Sequence, residues 1–176
     1  EMCIRDSSKV APQFDSIMVI PAGTPWMKGS TSASGEDRLN MCIAALDDLA
    51  DDLQSKVSVN DVEVQRKGQT YTIETINQLR AFYPKDQFTL ILGSDAAASL
   101  DKWYRADALK RQVEFLVVKR PGDSQPTSEF PELKINALDI SSTDIREALE
   151  SGKSVDNYLS PSVIAYIKEK RLYGSK

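Results

Sequence analysis

Residues 88–104 contain an apolar run that breaks abruptly, and this feature constrains the fold more than any other part of the chain. Phe88 to Leu92 is nearly all apolar without alternation, a pattern typical of a strand buried on both faces of a parallel sheet. Gly93 ends the run, and an alanine-rich helix is predicted to follow. Because parallel sheets bind ligands at their carboxyl edge, we expect Gly93 and Asp95 to lie at a nucleotide-binding crevice.

The rest of the chain alternates between strand and helix patterns. Apolar segments predict further strands at residues 16–22, 57–64, 113–118 and 133–140. Helical periodicity follows four candidate N-cap residues, which are Ser34, Thr72, Ser141 and Ser160. Because no internal repeat is visible and strands alternate with helices, the sequence predicts an α/β fold with a Rossmann-like, doubly wound parallel sheet.

Charge, hydropathy and cysteine content limit the partners and the compartment. A net charge of −4 argues against a general nucleic-acid or anionic-membrane surface, so phosphate recognition must come from a few placed cations and helix amino termini. The longest apolar run is far too short to span a bilayer. Two widely separated cysteines, Cys3 and Cys42, without a secretory signal predict a reduced, cytoplasmic protein.

The chain contains no histidine. This absence removes the commonest general base and a common metal ligand, and it therefore excludes histidine-based triads and zinc sites. We predict no metal site built from protein side chains. Any chemistry must use carboxylates, cations, hydroxyls or a metal ion that is bound with a substrate.

Three segments offer candidate phosphate-binding residues, and each also has a plainer interpretation. Ser142, Thr143 and Arg146 open a predicted helix whose amides and positive end suit a polyphosphate, although most such openings are only caps. Arg120 follows a predicted strand, where a basic solvated turn is the commoner meaning. Lys28 lies in a loop after the first predicted strand, and a surface connection explains that loop equally well.

Several short motifs stand in a fixed order along the chain. They are Pro21-Ala-Gly-Thr-Pro25 with Lys28, Arg38-x-x-Met41, Thr70-Tyr71-Thr72-x-x-Thr75, Leu92-Gly93-Ser-Asp95 with Trp103-Tyr104, Lys119-Arg120-Pro121-Gly122, Ile140-Ser-Ser-Thr-Asp-Ile-Arg146 and the closing Tyr173-Gly174. Each motif is weak alone. Together they resemble the bacterial nicotinate-nucleotide adenylyltransferases of the nucleotidyltransferase superfamily, and the resemblance extends over most of the chain.

The resemblance implies a pocket for nicotinate mononucleotide. In that family the pyridine ring stacks on the aromatic residue that corresponds to Trp103, and backbone amides around Thr72 and Tyr104 hold its carboxylate. Tyr71 belongs to the same pocket, and Asp95 is expected to hold ribose hydroxyls or to orient the substrate. An aromatic face suits a planar ring, and amides at a helix start favour an acid over its uncharged amide analogue.

The resemblance also implies an ATP site and a reaction. Lys28 is expected to meet the mononucleotide phosphate, while the expected ATP-binding residues are Gly93, Asp95, Arg120, Ser142, Thr143 and Arg146. Arg146 is the candidate catalytic cation. The mononucleotide phosphate attacks the α-phosphorus of ATP and pyrophosphate leaves, with Mg²⁺ shielding the phosphates, so positioning and charge stabilisation suffice without an enzyme nucleophile.

One departure from the family pattern affects the expected activity. The family's Gly-x-Phe-Asp-Pro-x-His-x-Gly-His signature has no match in residues 1–15, and Met27 stands where many relatives have a histidine. We therefore expect a non-matching or truncated segment at residues 1–15, a single nucleotidyltransferase-like domain at 16–176 and a sheet without its first strand. Since one lost charge-stabilising donor costs about two to three powers of ten in rate, the chain is expected to be impaired.

Three other interpretations stay open at the level of sequence. One is a different transferase of the same superfamily, such as phosphopantetheine adenylyltransferase, which shares the helix opening but not the pocket expected at Trp103 and Tyr104. Another is a non-catalytic nucleotide-binding module, which the absent histidines favour. The third is a purely structural α/β domain, which failure to bind either ligand would favour. The expected partners are ATP and nicotinate mononucleotide, without nucleic acid or membrane, and a homo-oligomer is one option for the assembly.

Overall fold

Parallel strands and helices alternate in the computed structural model of the chain, which describes residues 9–25, 33–119, 129–135 and 141–175. The strands are β1 (Ile17–Val19), β2 (Val57–Val59), β3 (Thr89–Gly93), β4 (Glu114–Lys119) and β5 (Glu132–Lys134). The helices are α1 (Gly35–Asp47), α2 (Asp51–Gln54), α3 (Thr72–Phe82), α4 (Ser94–Ala98), α5 (Ala106–Lys110), α6 (Ser142–Glu150) and α7 (Pro161–Glu169). Short 3-10 helices lie at Ala11–Gln13, Leu100–Lys102 and Leu172–Gly174.

The chain divides into two compact units. The central unit comprises residues 69–139 with residues 1–2, and the flanking unit comprises residues 3–68 and 140–176. A single domain over residues 16–176 stays a prediction. No helix in the ranges that the structure describes is long and apolar enough to cross a membrane.

The central unit contains a parallel sheet with the strand order β3–β4–β5. Phe115 to Val118 are buried without interruption, which confirms the prediction of a strand covered on both faces at this position. In β3 only Leu92 is buried, while its neighbours are half-buried. The register aligns Leu92 with Val117 and Gly93 with Val118, so the two strands approach their carboxyl ends together.

Helix α3 closes the core of the central unit. Its inward residues Ile73 and Ile76 pack in a buried cluster with Leu100, Leu109 and Phe115. This packing fixes the start of α3 and the Leu100–Lys102 turn against the same apolar cluster. The residues that carry the predicted pocket therefore extend from elements with a shared core.

The flanking unit contains a second parallel pair, in which Ile17 lies beside Val57 and Val19 beside Val59. The predicted strand at 57–64 is too long, because β2 ends at Val59. Asn60 causes this early end: its side-chain oxygen accepts a hydrogen bond from the Val62 amide at 2.9 Å, which turns the chain locally.

Helices α1, α6 and α7 supply the apolar core of the flanking unit. Val163, Ile164 and Ile167 of α7 are buried with Leu149 of α6, and Met41 of α1 packs against this cluster. These contacts confirm the helices that the periodicity predicted after Ser34, Ser141 and Ser160.

A capping box fixes the start of α1. The Asp37 amide donates to the Ser34 hydroxyl oxygen at 2.9 Å, and the Ser34 hydroxyl donates to the Asp37 carboxylate at 2.6 Å. From α7, the Tyr166 hydroxyl donates to the other oxygen of Asp37 at 3.0 Å and accepts from the Asn40 side-chain amide at 3.0 Å. Hydrogen bonds thus join the first turn of α1 to its own N-cap residue and to α7.

These hydrogen bonds predict a pH-dependent contribution of Asp37 to stability. The Ser34 hydroxyl, followed by the Tyr166 hydroxyl, lowers the pKa of Asp37 below its ordinary value. The ionised carboxylate therefore stabilises the fold above about pH 4, and this stabilisation is lost as the pH falls through the folded-state pKa. We expect Asp37→Asn to lower the free energy of unfolding by about 1 kcal/mol at pH 7.

Urea unfolding of both proteins between pH 7 and pH 3 measures this contribution. The difference between wild type and Asp37→Asn should shrink toward the acidic end of the range. Asp86→Asn, which makes the same substitution at an exposed loop position, is the matched control. A difference that stays constant with pH would disprove a role for the Asp37 charge.

Candidate functional site

The Asp95 carboxylate lies close to Gly93, the last residue of β3. Gly93 is the N-cap residue of α4 and has φ −72° and ψ 158°, a conformation open to any residue. A Cβ atom on Gly93 would lie only 2.9 Å from Oδ1 of Asp95. Glycine therefore leaves room for the Asp95 carboxylate, which a Cβ atom at this position would displace, and the backbone angles do not require it.

An aromatic group lies in the same unit. The rings of Tyr71 and Tyr104 are 4.5 Å apart between centroids with an interplanar angle of 41°. Tyr104 is 48% exposed, whereas Trp103 is half-buried and packs against the apolar core around Leu100. Arg105 adopts a left-handed conformation with φ 54°, which reverses the chain directly after the two aromatic residues. Trp103 is thus anchored in the apolar core, whereas the ring of Tyr104 faces solvent.

The start of α3 differs from the prediction. The predicted cap at Thr72 is wrong: Tyr71 is the N-cap residue, and its side chain makes no capping hydrogen bond. The reason is that Tyr71 still has extended angles of φ −120° and ψ 132°, so Thr72 is already the first helical residue. The Glu74 amide donates to the Tyr71 carbonyl at 3.0 Å, so the Thr72 and Ile73 amides precede the first bond within the helix. These amides lie at the positive end of α3, and the Glu74 carboxylate stands in the same turn.

The start of α6 is closed by its own residues. The Ser141 amide and hydroxyl both donate to the Asp144 carboxylate, at 2.8 and 2.6 Å, and the Asp144 amide donates to the Ser141 hydroxyl at 3.1 Å. The Ser141 hydroxyl, then the Ser141 amide, lowers the pKa of Asp144. Of the candidate phosphate-binding residues in this segment, Ser142 and Thr143 have exposed side chains. The Arg146 guanidinium donates to the Thr143 hydroxyl at 3.1 Å.

The predicted site residues fall into three groups. The central unit holds Tyr71, Thr72, Gly93, Asp95, Trp103 and Tyr104, and the flanking unit holds Ser142, Thr143 and Arg146. Lys28 and Arg120 lie outside the described residues. That all of these residues share one rim of the sheet stays a prediction, and so do their individual roles.

Arg38 is a residue whose role the sequence did not reveal. Its guanidinium donates to the carbonyl oxygens of Ala22, Gly23 and Ala33. These carbonyls flank the loop after β1, for which the sequence favoured a binding role and a plain surface connection equally. The only sequence signal was an arginine one residue after a capping box, and that pattern does not specify its partners.

Comparisons with known proteins identify the family. The profile of the cytidylyltransferase-like family matches residues 7–148. The probable nicotinate-nucleotide adenylyltransferase of Oceanobacillus iheyensis is 35% identical to this chain, over 98% of this chain and 88% of the relative. The corresponding protein of Shouchella clausii is 36% identical over the same shares. The chain belongs to the nicotinate-nucleotide adenylyltransferase family.

Solved structures of nicotinate-nucleotide adenylyltransferases show the same fold. The nicotinic acid mononucleotide adenylyltransferase of Plasmodium falciparum, complexed with NaAD, matches 97% of this chain and 91% of its own with a TM-score of 0.78 and 21% identity. The predicted Rossmann-like nucleotidyltransferase fold with parallel strands is thereby confirmed.

The close approach of Gly93 and Asp95 yields a test of the strand end. In Gly93→Ala the new methyl group would displace the Asp95 carboxylate, which is the flexible end of a side chain, so we expect the free energy of unfolding to change by less than about 1 kcal/mol. Binding of nicotinate mononucleotide, measured by calorimetry, should weaken at least about tenfold.

The control for this test is the same change in an Asp95→Ala background. With no carboxylate to displace, Gly93→Ala should then have no further effect on binding, because the two effects act through one group. Additive losses in the double variant would show that Gly93 acts independently of Asp95.

Proposed function

We propose that this protein transfers the adenylyl group of ATP to nicotinate mononucleotide, which gives nicotinate adenine dinucleotide and pyrophosphate in NAD biosynthesis. An oxygen of the mononucleotide phosphate forms a bond to the α-phosphorus of ATP as the bond between the α- and β-phosphates breaks. Membership of the family supports the reaction. The observation in this chain that carries the proposal is the aromatic pair of Tyr71 and Tyr104 at the start of α3, where Tyr71 is the N-cap residue.

Backbone amides at the start of α3 would recognise the acid without a dedicated cation. The substrate differs from its nicotinamide analogue by a carboxylate in place of a neutral amide. Amides around Thr72 can donate to both oxygens of a carboxylate, and the positive end of α3 favours the negative charge. The exposed ring of Tyr104 and the anchored ring of Trp103 would contribute stacking area for the pyridine, as aromatic pairs do.

The remaining residues are assigned by their chemistry. Asp95 would accept hydrogen bonds from ribose hydroxyls, because an exposed carboxylate at a strand end accepts but does not donate. Lys28 would meet the mononucleotide phosphate. For ATP, we propose Gly93, Arg120, Ser142, Thr143 and Arg146, with the Arg146 guanidinium stabilising charge that develops on the phosphates.

Magnesium would enter as the complex with ATP. The described residues contain no group of three or more His, Cys, Asp or Glu side chains that could hold a metal ion, so they offer no cage for a resident ion. Mg²⁺ commonly binds substrate phosphates and keeps several waters. A cytoplasmic location and a homo-oligomeric assembly stay predictions from the sequence.

The proposed reaction should be slow in this chain. The family's histidines contact ATP phosphates, and the chain has no histidine. Positioning and the remaining cations would still accelerate the reaction, but each missing donor lowers the rate by about two to three powers of ten. Binding of the mononucleotide depends on other residues and should be retained.

Calorimetry and a product assay on the 176-residue chain test the proposal together. Nicotinate mononucleotide should bind at least about tenfold more tightly than nicotinamide mononucleotide. With ATP and Mg²⁺, chromatography should detect nicotinate adenine dinucleotide, formed at least about a hundredfold more slowly than by the Oceanobacillus iheyensis relative.

Other outcomes of the same assays separate the alternatives. Binding without any product would support a non-catalytic nucleotide-binding module. Adenylylation of phosphopantetheine in preference to the mononucleotide would identify a different transferase of the superfamily. Failure to bind either mononucleotide would contradict the proposed function.

Thr72 offers a direct test of acid recognition. Thr72→Asp places a negative charge in the first turn of α3. This charge stabilises the helix by about 0.3–1 kcal/mol through its interaction with the helix dipole, but it repels the substrate carboxylate. We expect the melting temperature to stay equal or rise while the affinity for nicotinate mononucleotide falls at least about tenfold. Thr72→Asn is the neutral control of similar size, and equal affinities of the two variants would argue against a carboxylate at this helix start.

A further inference from the structure

The side chain of Lys110 joins two segments of the central unit that are separate in the sequence. Its Nζ atom donates to an Asp101 carboxylate oxygen at 2.8 Å and to a Glu129 carboxylate oxygen at 2.7 Å. The same ammonium lies 5.5 Å from the centroid of the Phe130 ring, which is close enough for a cation–π interaction. Asp101 belongs to the turn before Trp103, whereas Glu129 and Phe130 precede β5.

These contacts form a network rather than an isolated surface ion pair. The Lys110 side chain is only 26% exposed, although both of its carboxylate partners are exposed. The Phe130 ring beside the ammonium is stacked on Phe115 of the core, with 4.6 Å between the ring centroids. Asp101, followed by Glu129, raises the pKa of Lys110 above its ordinary value. Isolated surface pairs contribute little, and networks of several charges are the exception.

Lys110 extends from a helix that is anchored in the core. It is the last residue of α5, in which Ala106 and Leu109 are buried. The amides of Gln112 and Val113 donate to the Leu109 carbonyl at 2.9 and 3.3 Å, and these bonds hold the end of α5 next to the start of β4. The backbone at Lys110 is therefore a fixed support for the carboxylates that its side chain binds.

The loop between Asp101 and Lys110 carries both aromatic residues of the proposed pyridine pocket. Trp103 packs on the apolar core. Tyr104, in contrast, is 48% exposed and directly precedes Arg105, where a φ of 54° reverses the chain. The hydrogen bond from Lys110 to Asp101 closes this loop, because it joins residues that are nine positions apart. It therefore restrains the turn from which the exposed Tyr104 ring extends.

We propose that Lys110 is a positioning residue for nicotinate mononucleotide. It holds the turn at Asp101, so that the Tyr104 ring keeps its place 4.5 Å from the Tyr71 ring, measured between centroids. Its bonds go to carboxylates of the protein, so it acts through other residues rather than on a reacting atom. All of these residues belong to the central unit. The inference rests on the proposed function, which takes Trp103 and Tyr104 as groups that contact the pyridine ring.

The experiment separates the ion pair with Asp101 from the ion pair with Glu129. Lys110→Met removes both pairs, whereas Asp101→Asn and Glu129→Gln each remove the charge of one partner. Lys110→Arg is the rescue variant, because a guanidinium keeps the positive charge and can donate to two carboxylates. Lys85→Met, at an exposed turn between α3 and β3 in the same unit, is the matched control for the lost charge.

Two quantities are measured for each folded protein. Calorimetry gives the dissociation constant of nicotinate mononucleotide, and hydrogen exchange reports on the amides of residues 101–106. Lys110→Met and Asp101→Asn should each weaken binding at least about threefold and raise exchange at least about threefold, because the loop is no longer closed. Since these two substitutions change the net charge in opposite directions, long-range attraction of the substrate cannot explain a shared loss of affinity.

The other variants should keep the wild-type affinity. Glu129→Gln breaks the pair that leads to β5 and leaves the pair with Asp101, and Lys110→Arg retains both partners. Lys85→Met removes a charge outside the network. The double variant of Lys110→Met with Asp101→Asn should bind no more weakly than either single variant, because both substitutions break the same hydrogen bond.

Two results would overturn the inference. One is wild-type affinity in Asp101→Asn, and this exposed position keeps the test decisive even where Lys110→Met folds poorly. The other is a loss of affinity in Lys110→Met that Lys110→Arg does not rescue. A wild type that does not bind the mononucleotide contradicts the proposed function and the inference with it, whereas binding that no variant changes contradicts the inference alone.

Discussion

The parallel pairing of β3 with β4 is the constraint on which the central unit depends. The register places Gly93 beside Val118, one residue before the end of β4. Helix α4 begins at the next residue, Ser94, so it starts at the carboxyl edge of the sheet. There the missing side chain of Gly93 leaves space for the Asp95 carboxylate. Because the same sheet packs against α3 and the Leu100–Lys102 turn, the aromatic residues have a fixed relation to this strand end.

The three helix starts that carry polar residues differ in a way that bears on function. Helices α1 and α6 are both closed by a serine and an aspartate, and in each the aspartate pKa is lowered by its serine partner. Helix α3 has a tyrosine in the capping position, and the side chain of that tyrosine makes no capping hydrogen bond, although Glu74 stands in the first turn of the helix. The N-cap hydroxyl found in α1 and α6 is therefore missing from α3.

Secondary-structure elements that depend on residues close together in the sequence were predicted correctly. Contacts between residues that are distant in the sequence were not predicted. The apolar run before Val118 and the Ser34 capping box follow from spacing within a few residues, and both are present. The cap at Thr72 was misplaced by one residue because several neighbouring side chains could have served. The hydrogen bonds of Arg38 could not be predicted, since its carbonyl partners Ala22 and Gly23 precede it by 16 and 15 residues.

A nitrogen-edited NMR titration with nicotinate mononucleotide tests most directly whether the start of α3 and the carboxyl end of β3 form one binding site. The account predicts that the amide signals of Thr72, Gly93 and Tyr104 shift together and saturate with one dissociation constant, and that nicotinamide mononucleotide shifts the Thr72 signal far less. Shifts confined to other parts of the chain, or different saturation curves for these three amides, would contradict it.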